Sequence, residues 1–256
     1  MRAERAAADV TQDAVLGGRL RLRQPRRGHR VGHDAILLAA ATEAHAGEHA
    51  VDLGAGVGAS GLALAVRVPG LSLTLVEIDP QLCALATENA DANLLADRVK
   101  VLTIDVMAAE SFEQAGLRPG SAQRVLMNPP FNDPSNVSPD ASRRLAHAGG
   151  PQTLALWIAA AARLLAADGV LTLIWRADGL ANVVDALAAS FGGIGVLPVH
   201  PRPGVDAIRV LVRAAKASRA PPAMSPALYL NDERGRPSPA AEAVLRNGEP
   251  LRFAGI

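Results

Sequence analysis

The stretch Val51-Asp52-Leu53-Gly54-Ala55-Gly56-Val57-Gly58 constrains the fold of this chain more than any other. An apolar strand, His49–Leu53, runs into glycines at every second position, and Ala59–Val68 follows with helical spacing. Glycines there let the chain turn from strand to helix within a few residues and let a ligand lie against main-chain atoms. The alternation then repeats. Ser72–Glu77 reads as a strand and Pro80–Asn93 as a helix with Pro80 in its first turn. Val99–Ile104 and Gln123–Asn128 read as the third and fourth strands, Thr153–Ala167 as a helix and Gly169–Trp175 as the fifth strand. A helix over Leu180–Phe191 and short strands near Gly195–Val199 and Ala207–Val212 complete the series. Ser238 and Pro239 open a last helix that stops at Asn247-Gly248. Such alternation predicts an α/β fold with a mostly parallel sheet covered on both faces.

Composition permits this. Hydrophobic residues make up 49% and charged residues 20% of the 256 residues, which allows one large domain and excludes global disorder. Aromatics are only 3%, so the core must be built from Ala, Val, Leu and Ile. The one cysteine, Cys83, excludes an internal disulfide and reads as a small buried residue. The six histidines show no pair at ligand spacing with a third ligand nearby, so no metal is expected. Arg163 interrupts the longest apolar stretch, Leu154–Ala167, and the N-terminus is charged where a signal peptide needs an apolar run. A cytoplasmic protein is expected.

The net charge is only +1, but residues 1–30 hold eight arginines against three acids. From Arg19 to Arg23 arginine alternates with leucine, which predicts a strand with one basic and one apolar face. Pro25–Gly28 reads as a turn and His29–Val31 as a returning strand, after which Asp34 N-caps a helix over Ala35–Ala46. Arg19, Arg21 and Arg23 on one face suit an anionic partner, for which nucleic acid is the common case. Arg30 and Asp34 are candidate substrate contacts, as are Arg143 and Arg144 in the Asn-, Asp-, Ser- and Pro-rich loop 132–150. A plain solvated arm in a chain of 24 arginines and two lysines weighs equally.

Acids end three successive strands. Asp52 precedes the glycines, where it would repel a pyrophosphate but not S-adenosyl-L-methionine, which carries an ammonium and a sulfonium. Glu77 ends the second strand, where a carboxylate can accept from both ribose hydroxyls. Asp105 ends the third and could accept from an adenine amino group, with Val106 and Met107 against the ring. The candidate cofactor set is Asp52, Gly54, Ala55, Gly56, Gly58, Glu77, Ile78, Asp105, Val106 and Asn128. Singly, each acid is as easily a loop cap; three beside one glycine loop are harder to explain that way.

Asn128-Pro129-Pro130-Phe131 ends the fourth strand, where open α/β sheets place their ligands. An exocyclic amine or carboxamide nitrogen is a poor nucleophile because its lone pair is delocalised. Two acceptors that hold its hydrogens out of plane help localise that pair, and the Asn128 side-chain oxygen and the Pro129 carbonyl are suitable. Proline stiffens the loop that carries them. Phe131 offers a face on which a planar group can stack. No strong base is needed, since the nitrogen sheds its proton after methyl transfer.

Together these residues resemble the class I methyltransferases with an (N/D)-P-P-(Y/F/W) motif. The lead-in Arg30-Val31-Gly32-His33-Asp34-Ala35-Ile36-Leu37-Leu38 and the tail around Gly235-Arg236-Pro237-Ser238-Pro239 are similar to those of the bacterial tRNA1(Val) (adenine-N6)-methyltransferases. His33 stands where that family has a small hydroxyl residue, and Phe131 where Tyr is common. The resemblance runs from about Leu16 to about Leu251. It implies a Rossmann-like seven-stranded sheet with an antiparallel last strand, S-adenosyl-L-methionine as cofactor and tRNA as partner. It assigns catalysis to Asn128, Pro129, Pro130 and Phe131. The implied organisation is a basic arm or hairpin over 1–33 ahead of a methyltransferase domain over 34–256.

The leading alternatives keep the chemistry and change the substrate: a protein glutamine amide or an rRNA amino group. Glutamine enzymes of this type carry a sizeable N-terminal helical domain, whereas about 45 residues precede the first core strand here. A non-catalytic RNA-binding module leaves Asn-Pro-Pro-Phe unexplained. Asp52 and Ala59 weigh against a nicotinamide oxidoreductase.

Overall fold

The computed structural model describes residues 10–26, 30–131 and 151–254. Strands β1 (Val10–Val15) and β2 (Leu20–Pro25) form an antiparallel hairpin with Val15 opposite Leu20. Leu20, Leu22 and Gln24 are buried, while Arg21 and Arg23 face out. The partner of β2 is thus the segment before it, not 29–31. Residues 27–29 lie outside the described residues and Val31 is in no strand. The mixed Thr-Gln-Asp interior of β1 gives no apolar period by which to recognise it. Arg19 also falls outside the strand, following the turn Leu16–Gly18.

Helix α1 (His33–Ala41) has Gly32, not Asp34, as N-cap; Asp34 sits in the first turn. It ends before the expected Ala46 because Thr42 turns extended, with its hydroxyl on the Leu38 carbonyl at 2.8 Å. The core then alternates: β3 (His49–Leu53), α2 (Ala59–Arg67), β4 (Ser72–Glu77), α3 (Pro80–Ala92), β5 (Val99–Thr103), α4 (Ala109–Gln114), β6 (Ala122–Met127), α5 (Pro151–Leu164), β7 (Leu165–Arg176), α6 (Leu180–Leu187), β8 (Phe191–His200), β9 (Arg209–Lys216), β10 (Ala223–Met224), β11 (Leu228–Tyr229) and α7 (Pro239–Leu245). Asp79 caps α3 by accepting from the Gln81 N–H, and Ser238 caps α7 by accepting from that of Ala241. Helix α6 stops short of Phe191, which opens β8 ahead of a bulge between Gly192 and Gly195.

The sheet order is β10-β8-β9-β7-β6-β3-β4-β5, with β11 also on β8. Strand β9 runs antiparallel to β7 and β8, and the other pairs are parallel. The seven longer strands reproduce the expected plan with its antiparallel last strand. Two two-residue strands that cover the outer edge of β8 bring the total among the described residues to nine, and segments so short carry no readable period. One apolar cluster joins α1, α2 and the hairpin leucines Leu20 and Leu22 on one face. Another gathers α5 and α6 with Val51, Leu53 and Trp175 on the opposite face. Because β3 lies between β4 and β6, winding reverses there, and a crevice opens at the carboxyl ends of these strands. Among the described residues no helix is long and apolar enough to cross a membrane.

Candidate active site

The glycine loop is held in that crevice by main-chain geometry. Gly54, Gly56 and Gly58 have φ of 70°, 57° and 87°, a region that favours glycine. The Gly54 and Ala55 N–H groups both donate to the Val76 carbonyl, at 2.8 and 2.9 Å, which ties the loop to the end of β4. A Cβ on Gly54 would lie 2.4 Å from the Trp157 indole of α5, so backbone and ring are in direct contact.

The strand-end acids divide by role. Asp52 is buried beneath the loop, and its Oδ2 accepts from the Gly61 N–H at 2.8 Å in the first turn of α2. Burial pushes its carboxyl up to about 7; the Gly61 N–H opposes this and the Glu77 charge adds to it. The Asp52 carboxylate therefore anchors α2, an arrangement the sequence reading, which aimed it at a cationic ligand, did not foresee. Glu77 is also buried, and accepts from Gly56 N–H at 2.8 Å, Ile78 N–H at 2.9 Å and Asp79 N–H at 3.0 Å. Asp105 accepts from the Met107 N–H at 2.9 Å. Val106 is buried, whereas Ile78 and Met107 are large apolar side chains left 56% and 42% exposed beside these acids. Gly54 to Gly58, Glu77, Ile78 and Asp105 thus meet at three adjacent strand ends.

Asn128 follows β6 directly, and its Oδ1 is buried with no hydrogen-bond partner among the described residues. A native structure seldom leaves such an atom orphaned unless something else pairs with it. Pro129 is buried behind it, and Pro130 is partly exposed. The Phe131 ring meets Trp175, at the end of β7, edge-to-face with centroids 5.6 Å apart. The Arg209 guanidinium lies over the same ring, 5.0 Å from its centroid, and donates from Nε to Asp34 at 2.9 Å. Neither Trp175 nor Arg209 was singled out from the sequence. Trp175, one of two tryptophans, ends the strand beside the Asn-Pro-Pro-Phe strand, a signal that could have found it.

The basic arm divides too. Arg19 donates to the Asn247 and Leu16 carbonyls, Arg23 pairs with Glu88, and Arg30 pairs with Asp13 at 2.8 Å. Only Arg21 of the arm's candidate arginines has a side chain without a hydrogen bond or ion pair among the described residues. Arg143 and Arg144 lie outside those residues. A cavity of about 480 Å³ opens at the opposite end of the sheet, lined by His49, Lys100, Arg118 and Ser121 among others, far from this chemistry. The described residues hold no group of three potential metal ligands.

Residues 29–199 match the family described as methyltransferase small domain. A tRNA1(Val) (adenine(37)-N6)-methyltransferase of Porphyromonas gingivalis is 34% identical over 158 residues, 60% of this chain; the chain spans 61% of that relative's length. A protein of the same description from Pedobacter heparinus is 28% identical over 225 residues, covering 85% of this chain and 90% of its own. Among solved structures, a predicted O-methyltransferase from Agrobacterium tumefaciens superposes with a TM-score of 0.72 at 29% identity, covering 85% of this chain and 98% of that one.

Proposed function

The chain belongs to the methyltransferase small domain family, and from that premise we propose that it transfers a methyl group from S-adenosyl-L-methionine to the N6 amino group of an adenine beside the anticodon of a tRNA. The observation that carries this reading is the orphaned Oδ1 of Asn128, buried at the end of β6 beside Pro129. An acceptor in that state lacks a donor, and an exocyclic amine supplies one. The names of the relatives from P. gingivalis and P. heparinus support adenine in tRNA as the amine's source.

The residues at the strand ends fit the cofactor. Glu77 and Asp105 offer carboxylates for ribose and adenine, with Ile78 and Met107 as uncovered apolar surfaces beside them. Gly54, Ala55 and Gly56 are partly exposed at the crevice, whereas Val57 and Gly58 are buried. When bound, S-adenosyl-L-methionine supplies an electrophilic methyl group. The chain's own part is to orient the amine: Asn128 Oδ1 and the Pro129 carbonyl accept its hydrogens, and Phe131 stacks on the ring that carries it. Of the candidate arm arginines, Arg21 has no side-chain partner among the described residues, which leaves its cation for a phosphate.

The test is methyl transfer from labelled cofactor to unmodified tRNA, followed by digestion to nucleosides. N6-methyladenosine is the expected product. Transfer only to a glutamine-bearing peptide, or only to rRNA, overturns the substrate assignment while leaving the N-methyl chemistry in place.

A further inference from the structure

A cation stands over the Phe131 ring, where stacking alone does not call for one. Two distant parts of the chain meet this ring, and a third holds one of them in place. Trp175 meets it edge-to-face, Arg209 covers one face, and Asp34 in the first turn of α1 holds Arg209. Arg209 is the first residue of β9, the strand inserted antiparallel between β7 and β8, which brings it beside the end of β7. Its orientation is fixed at two atoms: Nε on Asp34 Oδ2 at 2.9 Å and Nη1 on the Ile208 carbonyl at 3.0 Å. Arg209 and Asp34 side chains are each only about a quarter exposed, at 26% and 27%. An arginine placed to grip a phosphate would point an uncompensated charge at solvent; this one has its charge matched by Asp34 and its guanidinium over a ring.

We propose that Arg209 is a positioning residue that, oriented by Asp34, holds the Phe131 ring in the orientation in which a planar substrate stacks on it. The inference rests on the proposed role of Phe131 as a stacking surface. A guanidinium suits this use because it is planar, weakly hydrated and attracted to the ring's negative face; lysine shares the charge but not the plane. Trp175 limits rotation from the edge while Arg209 limits it from one face. The ring is then ordered before the substrate arrives, so the benefit falls on substrate binding more than on the chemical step.

The experiment is single-turnover methyl transfer by Arg209→Lys, Arg209→Gln and Asp34→Asn, run at several salt concentrations with cofactor affinity measured in parallel. Both Arg209 variants are expected to raise the substrate KM about three- to tenfold, with a smaller loss in the rate at saturation and an unchanged salt slope. Asp34→Asn should move the same way by less. Combining Arg209→Gln with Phe131→Leu should add little to Phe131→Leu alone, since the two act through one ring. A lysine variant with wild-type KM, together with a flatter salt dependence in the glutamine variant, would identify a phosphate contact instead and overturn the proposal. Additive effects of Arg209→Gln and Phe131→Leu would overturn it as well. Should Arg209→Gln fail to fold, Arg209→Lys and Asp34→Asn decide the matter. The wild type is assayed first on tRNA and on a glutamine-bearing peptide. Activity on the peptide alone overturns the substrate reading, and the same comparison on the peptide then decides the role of Arg209. A readout independent of activity is the Arg209 Nε–H resonance, which should move when Phe131→Leu removes the ring beside it.

Discussion

The carboxamide of Asn89 makes a two-way hydrogen bond with the backbone of Arg23, Oδ1 accepting from its N–H at 2.7 Å and Nδ2 donating to its carbonyl at 3.0 Å. Nδ2 also donates to the Val57 carbonyl at 3.0 Å, so one buried side chain joins the basic hairpin to the glycine loop. One turn later Asn93, the C-cap of α3, pairs in the same two-way manner with Arg21. The open edge of β2 is thus closed by side-chain amides of a helix, in place of a further strand.

This asymmetry in burial gives the first prediction. Asn89→Ala leaves the part-buried Arg23 N–H and carbonyl and the buried Val57 carbonyl without these partners, and should destabilise the fold by about 2–4 kcal/mol. Asn93→Ala, whose groups reach solvent, should cost about 1 kcal/mol or less. Urea unfolding of both variants tests this, and equal losses would contradict it.

Gly54→Ala should weaken cofactor binding more than tenfold. The new Cβ meets the Trp157 ring at 2.4 Å, and φ of 70° strains any residue with a side chain. Trimming the ring with Trp157→Leu should restore part of the affinity, because the clash goes but the strain stays. Calorimetry should show more than a tenfold loss in the single variant, about 1.4 kcal/mol or more; near-normal affinity would remove the loop from the site.

What could be read from the sequence was whatever repeats or punctuates. The strands that carry Asp52 and Glu77 are nearly continuous buried runs, and the more exposed β5, which leads to Asp105, is a short run of β-branched and apolar residues, so where they end was legible. The Ser238 cap was legible, the Asp79 cap of α3 was not named although Pro80 after it was, and the glycine cap of α1 displaced the expected Asp34. The surroundings of Phe131 were not legible. They depend on β9 inserting between β7 and β8, and the Asp34–Arg209 pair joins residues 175 positions apart. No local pattern encodes that. Asp52 was visible as an acid before glycines, but which way its carboxylate points depends on how closely Gly61 approaches.

Asp52 also gives a pH prediction. Its carboxyl is held up to about 7 in the folded chain, against about 3.9 when unfolded. Between those values the folded state keeps a proton that the unfolded chain has released. Stability therefore falls as pH rises from about 4 to about 7 and levels off above. Asp52→Asn can still accept from the Gly61 N–H but has nothing to ionise, so it should gain on the wild type by up to about 4 kcal/mol across that window. Parallel unfolding profiles of the two proteins from pH 4.5 to 8 would show that Asp52 titrates normally.

The arm arginines should separate experimentally. Arg21→Ala removes a cation with no side-chain partner among the described residues and should flatten the salt dependence of RNA binding by about 0.7–0.9 in log–log slope, one phosphate's share. Arg19→Ala should instead loosen the packing of the hairpin against Asn247 and leave that slope alone. Filter binding over a range of salt concentrations checks both, and identical slopes in all three proteins would return the arm to a merely solvated surface.

The last prediction concerns Asn128, where function and stability should part company. Its Oδ1 is buried without a donor among the described residues, a state that costs a fold about 1–3 kcal/mol. Asn128→Ala removes the orphaned atom, so the variant should be as stable as the wild type or more so. Cofactor affinity should be nearly unchanged, because the glycine loop and Glu77 do not depend on this side chain. Turnover should fall about a hundred- to a thousandfold, the typical loss for one positioned acceptor or donor that strengthens in the transition state. The effect belongs to the rate more than to KM, since the hydrogen bond tightens as the nitrogen pyramidalises. Phe131→Ala should differ by raising the RNA KM at least as much as it lowers the rate, and Phe131→Tyr should be almost silent. Thermal melting, calorimetry and single-turnover transfer on the same preparations distinguish these patterns. A destabilised Asn128→Ala would mean that the oxygen has a partner inside the protein, and a stable variant with wild-type turnover would remove Asn128 from the chemistry altogether.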